Sequence, residues 1–203
     1  MSTPFLETVE SRRSLYQLTN TSPIPDARIK EIVSLSLKHA PSAFNVQSAR
    51  AVILLREQHE KLWDIGLKVV QEEMPPAAQA FLTKRVVGFR GAYGTVLWFE
   101  DEDAIDILKQ KNPAIQRLLP EWSSHSSGIH QFINWTAFSK EGLGCNLQHY
   151  NFSAKFVESV HELWNVPRNW KLKGQLVFGQ PVGGPDRVKE YKPIEGDRML
   201  VFA

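Results

Sequence analysis

Four short segments that are rich in apolar residues lie far apart in this 203-residue chain, and longer segments with helical periodicity separate them. Short runs of this kind, rich in β-branched and aromatic residues, favour buried β-strands. Because the strands are scattered among more numerous helices, the pattern predicts a layered α+β fold. The predicted strands cover residues 51–55, 93–99, 172–178 and 199–202.

The helix boundaries are marked by residues that start or stop helices. Thr3 followed by Pro4 is typical of a helix N-terminus, and this first helix is expected to reach Arg13. Pro41 ends a helix predicted over residues 26–40, and Gly142 ends one predicted over residues 123–141. Further helices are predicted over residues 57–74 and 153–164, and the acidic segment 100–108 is expected to start another. A new element begins at Pro75 and Pro76.

Composition argues against several classes of protein. The net charge is +2, from 24 Lys and Arg against 22 Asp and Glu, and without a basic run a nucleic-acid partner has little support. The single cysteine, Cys145, excludes an internal disulfide and a thiolate zinc site, and it favours a reducing compartment. The chain lacks a secretory signal pattern and a run of about 18 apolar residues, so we expect no membrane partner and a cytoplasmic or nuclear location.

Two basic segments, one near each end of the chain, are candidates for holding a phosphate group. Residues 11–14 read Ser-Arg-Arg-Ser, and guanidinium forks beside hydroxyls suit phosphate oxygens. The loop 186–193 adds Lys189 and Lys192. The alternative is that both segments are simply solvated, one at a helix C-terminus and one in a connection.

The turn 41–48 is unusually rich in side chains that both donate and accept hydrogen bonds. It places Ser42, Asn45, Gln47 and Ser48 between an amphipathic helix and a buried strand. Asn and Gln suit a planar heterocycle with alternating carbonyl and imide groups. A capping and turn segment with no ligand uses the same residue types, so both interpretations remain open.

Several common catalytic motifs are absent from the sequence. Residues 142–147 begin like a dinucleotide fingerprint, but Leu147 stands where the third glycine belongs, and the segment follows a helix instead of a strand. There is no GxxxxGK[ST], HExxH or GxSxG motif. We therefore expect no bound metal and no side-chain nucleophile, and Cys145 is interpreted as a small buried residue.

Four segments, taken together and in their order along the chain, resemble the nitroreductase family of flavoproteins, particularly its short fungal and bacterial branch. The segments are ESRRS near the start, HAPSAFNVQSAR after the second helix, EGLGCNLQHY, and the closing KEYKP. The resemblance implies a single domain over residues 1–203, with a central, mostly antiparallel sheet surrounded by helices. It also implies an interlocked homodimer with two FMN molecules at its interface.

The resemblance implies a role for each of these segments in FMN binding. The phosphate and ribityl chain would be held by Arg12, Arg13 and Ser14, joined by Lys189 and Lys192. Residues from the other subunit would reach the flavin through Ser42, Ala43, Asn45 and Gln47, although Ser48 replaces the usual proline of this loop. Leu147, Gln148, His149 and Tyr150 would run along the flavin ring, with a backbone N–H near position 149 facing N5.

Tyr16 is a departure from the family pattern. Many relatives carry Lys or Arg at this position, near the pyrimidine edge of the flavin, where a positive charge stabilises the reduced ring. The motifs therefore assign no cation to that edge, and Lys84 or Arg85 is the candidate to supply the positive charge.

The activity implied by the resemblance is ping-pong electron transfer. NADH or NADPH would reduce FMN, the oxidised nicotinamide would leave, and a nitroaromatic or quinone would then accept the electrons in the same pocket. Two alternatives differ in class: a flavin-binding regulatory or stress/lipid-signalling protein with low turnover, and a phosphate-binding protein without flavin. The missing cation at Tyr16 motivates the first of these.

Overall fold

The computed structural model describes residues 3–196 and 198–202. In this part of the chain, seven α-helices surround a five-stranded sheet, which confirms the predicted α+β class. The helices are α1 (Pro4–Ser11), α2 (Asp26–His39), α3 (Glu57–Glu73), α4 (Pro76–Arg90), α5 (Glu102–Lys111), α6 (Leu119–Lys140) and α7 (Ala154–Leu163). The strands are β1 (Leu18–Thr19), β2 (Ala49–Leu55), β3 (Gly94–Asp101), β4 (Gly144–Gln148) and β5 (Trp170–Pro181).

The sheet is antiparallel at each of its strand pairs. Its order is β1-β5-β3-β2, and β4 also pairs with β5. Because β5 has 12 residues, its far end pairs with β1 and the adjoining stretch with β4, so these two short strands lie along the same edge. Two glycines bring this edge close together: a Cβ added at Gly179 would clash with the carbonyl oxygen of Thr19, and one added at Gly144 would lie 2.6 Å from Leu18 Cδ2.

Two hydrophobic clusters lie on opposite faces of the sheet. Alternate residues of β3 point to opposite faces, as expected from the two-residue period of a strand. Leu97 and Phe99 join the cluster that contains Trp63 of α3, whereas Val96 and Trp98 join the cluster of α2 and α6. Helices α3, α4 and α7 therefore cover one face, and α2 and α6 cover the other.

The prediction of a strand over residues 199–202 is wrong. Met199 makes only an isolated bridge with Glu195, and the following residues form no regular structure. Phe202 is 91% exposed, and among the residues that the structure describes this apolar run has no neighbouring strand to satisfy its backbone and bury its side chains. Helix α6 also begins four residues earlier than expected, at Leu119, with Pro120 in its first turn.

Strands β1 and β4 were not predicted. Each is short, and β4 follows directly on the glycine-rich turn after α6. Helix α6 has 22 residues but carries many Ser, His and Asn side chains. Within residues 3–196 and 198–202, no helix is both long and apolar enough to cross a membrane.

The stability of the fold should fall as the pH falls from 7 to 5, because His59 is buried in its neutral form. Its ring nitrogens lie 2.9 Å from the Thr95 hydroxyl and 2.9 Å from the Phe89 carbonyl oxygen, and burial lowers its pKa to about 4. In the unfolded chain His59 titrates near 6.5, so between these values the unfolded state binds more protons, which costs about 2 kcal/mol between pH 7 and pH 5.

Urea unfolding at both pH values, compared between the wild type and His59→Gln, measures this contribution. Glutamine keeps hydrogen-bonding capacity but does not titrate, so the variant should lose less stability over the same interval. An equal loss in both proteins would remove His59 as the cause.

Candidate functional site

A cavity of about 620 Å³ lies where the start of the chain meets its C-terminal segment. Five cationic side chains and one carboxylate contribute to its lining, so it is strongly basic. The cavity brings together both basic segments identified in the sequence. Its lining residues are Arg12, Arg13, Ser14, Tyr16, Phe81, Arg85, Pro185, Asp186, Arg187 and Lys189.

Hydrogen bonds to β4 and its flanks hold the first basic segment in place. Helix α1 ends at Ser11, and Arg12 has an extended backbone conformation. Ser14 then forms a parallel bridge with Cys145, and the Leu15 N–H donates to the Cys145 carbonyl at 2.9 Å. The Asn146 amide donates to the Leu15 carbonyl at 2.8 Å. These bonds align the chain from Arg12 onward along the edge of β4.

Arg12 carries a buried donor without an acceptor in the described part of the chain. Its guanidinium lies 4.3 Å from the centroid of the Trp135 ring, and its Nε is buried with no hydrogen-bond partner there. Burial, followed by the nearby charge of Arg13, lowers the pKa of Arg12. A buried unpaired donor is costly, and a bound anion would satisfy it.

Two side-chain hydrogen bonds, from Arg13 and Gln17, hold the C-terminal segment in place. Arg13 Nη2 donates to the Arg187 carbonyl at 2.6 Å, and Gln17 Nε2 donates to Asp186 Oδ1 at 3.4 Å. These contacts place Lys189 on the same cavity as Arg12. Lys192 is exposed and does not line this cavity.

An aromatic cavity of about 390 Å³ adjoins the basic cavity and shares Phe81 and Arg85 with it. Its other lining residues are Val70, Met74, Leu82, Phe89, Gln148, His149, Tyr150 and Phe152. Burial raises the pKa of Tyr150 to about 12, so its hydroxyl stays protonated at neutral pH. The Tyr150 N–H donates to Gln175 Oε1 at 2.6 Å, which ties this wall to β5.

Three of the four residues predicted from the segment 147–150 line the aromatic cavity. Leu147 does not line it and packs against the opposite cluster with α6. The backbone N–H of Tyr150 is already bonded to Gln175. His149 is exposed at the cavity rim.

The predicted loop with Ser42, Ala43, Asn45 and Gln47 lies away from both cavities. It precedes β2, whose first residue pairs with Glu100 near the C-terminal end of β3, whereas Gly94 is at the N-terminal end of that strand. Ser42 Oγ accepts from the Gln47 N–H at 3.1 Å, and Asn45 Oδ1 accepts from Gln47 Nε2 at 3.1 Å. Ser48, at the usual proline position, donates through its hydroxyl to Glu100.

Sequence reasoning missed Phe81 and Trp135 as site residues. Phe81 and Arg85 are four positions apart on α4 and therefore share one face of that helix. An apolar ring at 66% exposure is a signal for a binding surface, but exposure is not visible in the sequence.

Comparison with known proteins gives consistent matches over most of the chain. The sequence profile of the nitroreductase family matches residues 9–180. The Saccharomyces cerevisiae nitroreductase FRM2 is 36% identical over 185 residues, which is 90% of this chain and 90% of FRM2. The structure of nitroreductase CinD from Lactococcus lactis in complex with 4-nitrophenol is 34% identical and has a TM-score of 0.84, covering 98% of this chain and 100% of that chain. The crystal structure of a nitroreductase from Saccharomyces cerevisiae is 34% identical with a TM-score of 0.74, covering 88% of this chain and 96% of that chain.

Proposed function

Because this chain belongs to the nitroreductase family, we propose that it is an FMN-dependent oxidoreductase. It would pass electrons from NAD(P)H to nitroaromatic or quinone acceptors by a ping-pong mechanism. The observation that carries the proposal is the continuity of a basic cavity with an aromatic one through Phe81 and Arg85. A ligand with a phosphate at one end and a flat ring at the other matches this arrangement.

The basic cavity fits the phosphate of FMN. Arg12 offers its unpaired buried Nε, and Arg13, Ser14 and Lys189 add further donors on the same walls. Arginine forks hold phosphate oxygens in pairs and carry their charge at any physiological pH. These residues would anchor the cofactor, and Lys192 would join them only through movement of the exposed C-terminal segment.

The aromatic cavity fits a flavin ring and a flat acceptor. Phe81, Phe152 and Tyr150 give it aromatic walls, while Gln148 and His149 supply polar groups. Bound FMN would supply the two-electron chemistry, and the protein would bind and orient the ring. The structure of CinD in complex with 4-nitrophenol supports a nitroaromatic as acceptor.

We also propose that the active unit is a homodimer. The loop 42–47 does not reach the cavities of its own chain, so a second chain is needed if this loop contacts the flavin. Large apolar side chains are exposed on α6, at Ile129 and Phe132, and along the C-terminal segment, where Leu200 is 71% exposed. A homodimer that covered these side chains would remove their apolar surface from water.

The absorbance spectrum and steady-state kinetics of the purified protein test the enzymatic proposal. After incubation with FMN and gel filtration, we expect flavin absorbance to elute with the protein. Initial rates with NADH or NADPH and 4-nitrophenol or a quinone should give parallel double-reciprocal lines. Protein that binds no FMN would refute the proposal, whereas FMN binding with very slow turnover for all acceptors would favour the regulatory alternative.

A further inference from the structure

Arg85 occupies the junction of the candidate site. It lines the basic cavity, the aromatic cavity and a third cavity of about 260 Å³ beside Tyr16 and Lys84. A positive charge at this junction interacts electrostatically with any ligand that spans the basic and the aromatic cavity. Lys84, the other candidate cation, is exposed and lines only the third cavity.

Aromatic rings hold the Arg85 side chain. Its guanidinium lies 4.0 Å from the centroid of the Tyr16 ring and 5.7 Å from that of Phe89. Ring faces attract a guanidinium but leave its in-plane N–H groups available. Tyr16 thus provides a platform that holds the Arg85 cation beside both principal cavities.

The Arg85 charge is not neutralised by a carboxylate. No ion pair or side-chain hydrogen bond involves its guanidinium within residues 3–196 and 198–202. Arg90, on the same helix, is different, because it pairs with Glu60 at 3.0 Å and Asp64 at 2.7 Å. Asp186 also lines the basic cavity, but its Oδ1 accepts from Gln17.

The field of Arg85 extends into the aromatic cavity. Burial raises the pKa of Tyr150, and the positive charge of Arg85 acts in the opposite direction on the same hydroxyl. An anionic ligand in this cavity would be stabilised by the same charge.

We propose that Arg85, seated on Tyr16, is the cation that stabilises the negative charge of reduced FMN. The inference rests on the proposed function. Two-electron reduction leaves negative charge on the pyrimidine part of a flavin, and a cation in an apolar site favours that state.

Sulfite provides a test that needs no turnover. Its sulfur lone pair forms a bond to N5 of oxidised flavin, and the displaced electron pair leaves the ring with a negative charge at N1 and C2=O. In Arg85→Met we expect the sulfite Kd of the FMN-loaded protein to rise about 10- to 100-fold, as for loss of one charge-assisted contact. The two-electron reduction potential should fall by about 30–60 mV, at about 30 mV per tenfold change.

Two further variants make the result specific. Arg85→Lys keeps the charge and should recover part of the sulfite affinity. Lys84→Met removes a neighbouring exposed cation, and its sulfite Kd should stay within about twofold of the wild-type value, as expected for a solvent-screened charge. FMN affinity, measured by quenching of flavin fluorescence, is determined for each protein first.

The outcomes separate the two proposals. Wild-type protein that binds no FMN overturns both. Wild-type protein that binds FMN, with unchanged sulfite affinity in Arg85→Met or an equal loss in Lys84→Met, overturns only the assignment of Arg85. Loss of FMN binding in both Arg85 variants would make Arg85 an FMN-binding residue and would likewise overturn a role confined to the reduced state.

Discussion

Arg12→Ala is expected to weaken FMN binding about 10- to 100-fold, because a charge-assisted hydrogen bond contributes about 1.5–3 kcal/mol. The guanidinium is held on the Trp135 ring, with its Nε buried and unpaired in the described structure. The donor is therefore positioned before the phosphate arrives, and binding costs little side-chain entropy. Titration of the apoprotein with FMN, followed by fluorescence quenching, gives the Kd.

A conservative variant and a control variant complete this measurement. Arg12→Lys keeps the charge but loses the planar group that stacks on Trp135, so its FMN affinity should lie between those of the wild type and Arg12→Ala. Arg168→Ala removes an exposed arginine that pairs with Glu158 beside α7, and it should leave the FMN Kd unchanged. If Arg12→Ala binds FMN as the wild type does, Arg12 does not contact the phosphate.

Phe132→Glu is expected to convert the protein from a dimer to a monomer. Phe132 is exposed on α6, three residues after Ile129, and a homodimer that covers this face would bury two carboxylates, one from each chain. An unpaired buried charge costs several kcal/mol, so two of them strongly destabilise such a dimer. Light scattering after gel filtration should give about twice 23.1 kDa for the wild type and 23.1 kDa for the variant.

Leu163→Glu is the control for this substitution. Leu163 is a similarly exposed apolar residue, but it ends α7 on the opposite face of the sheet. It should leave the dimer intact. A wild type that is monomeric at micromolar concentration, or a Phe132→Glu variant that remains dimeric with normal FMN content, would contradict the proposed α6 interface.

The fold could be predicted wherever the signal is local. Helical periodicity located α2 and α3, and short segments rich in apolar residues located β3 and the centre of β5. The strands that were missed or wrongly predicted depend on distant partners. Strand β4 exists because β5 is long enough to pair with it, whereas residues 199–202 are more apolar but meet no neighbouring strand in the described part of the chain.

The candidate site shows the same division. The basic character of Arg12, Arg13 and Lys189 is evident in the sequence, but their convergence depends on a bridge to Cys145 and a hydrogen bond to Arg187. Arg85 stands out only once its stacking on Tyr16 and its place between cavities are known. Residue type is local information, whereas shared burial and orientation arise from the tertiary structure.

The hydrogen bond from Arg13 to the Arg187 carbonyl joins residues 174 positions apart. During synthesis the first basic segment emerges from the ribosome well before its counterpart, because the whole sheet lies between them in the sequence. Domains generally fold as units as they emerge, and here the basic cavity lacks a wall until residues 185–189 have been synthesised. A chain shortened before Pro185 would lack that wall, and the proposed FMN phosphate site would be incomplete.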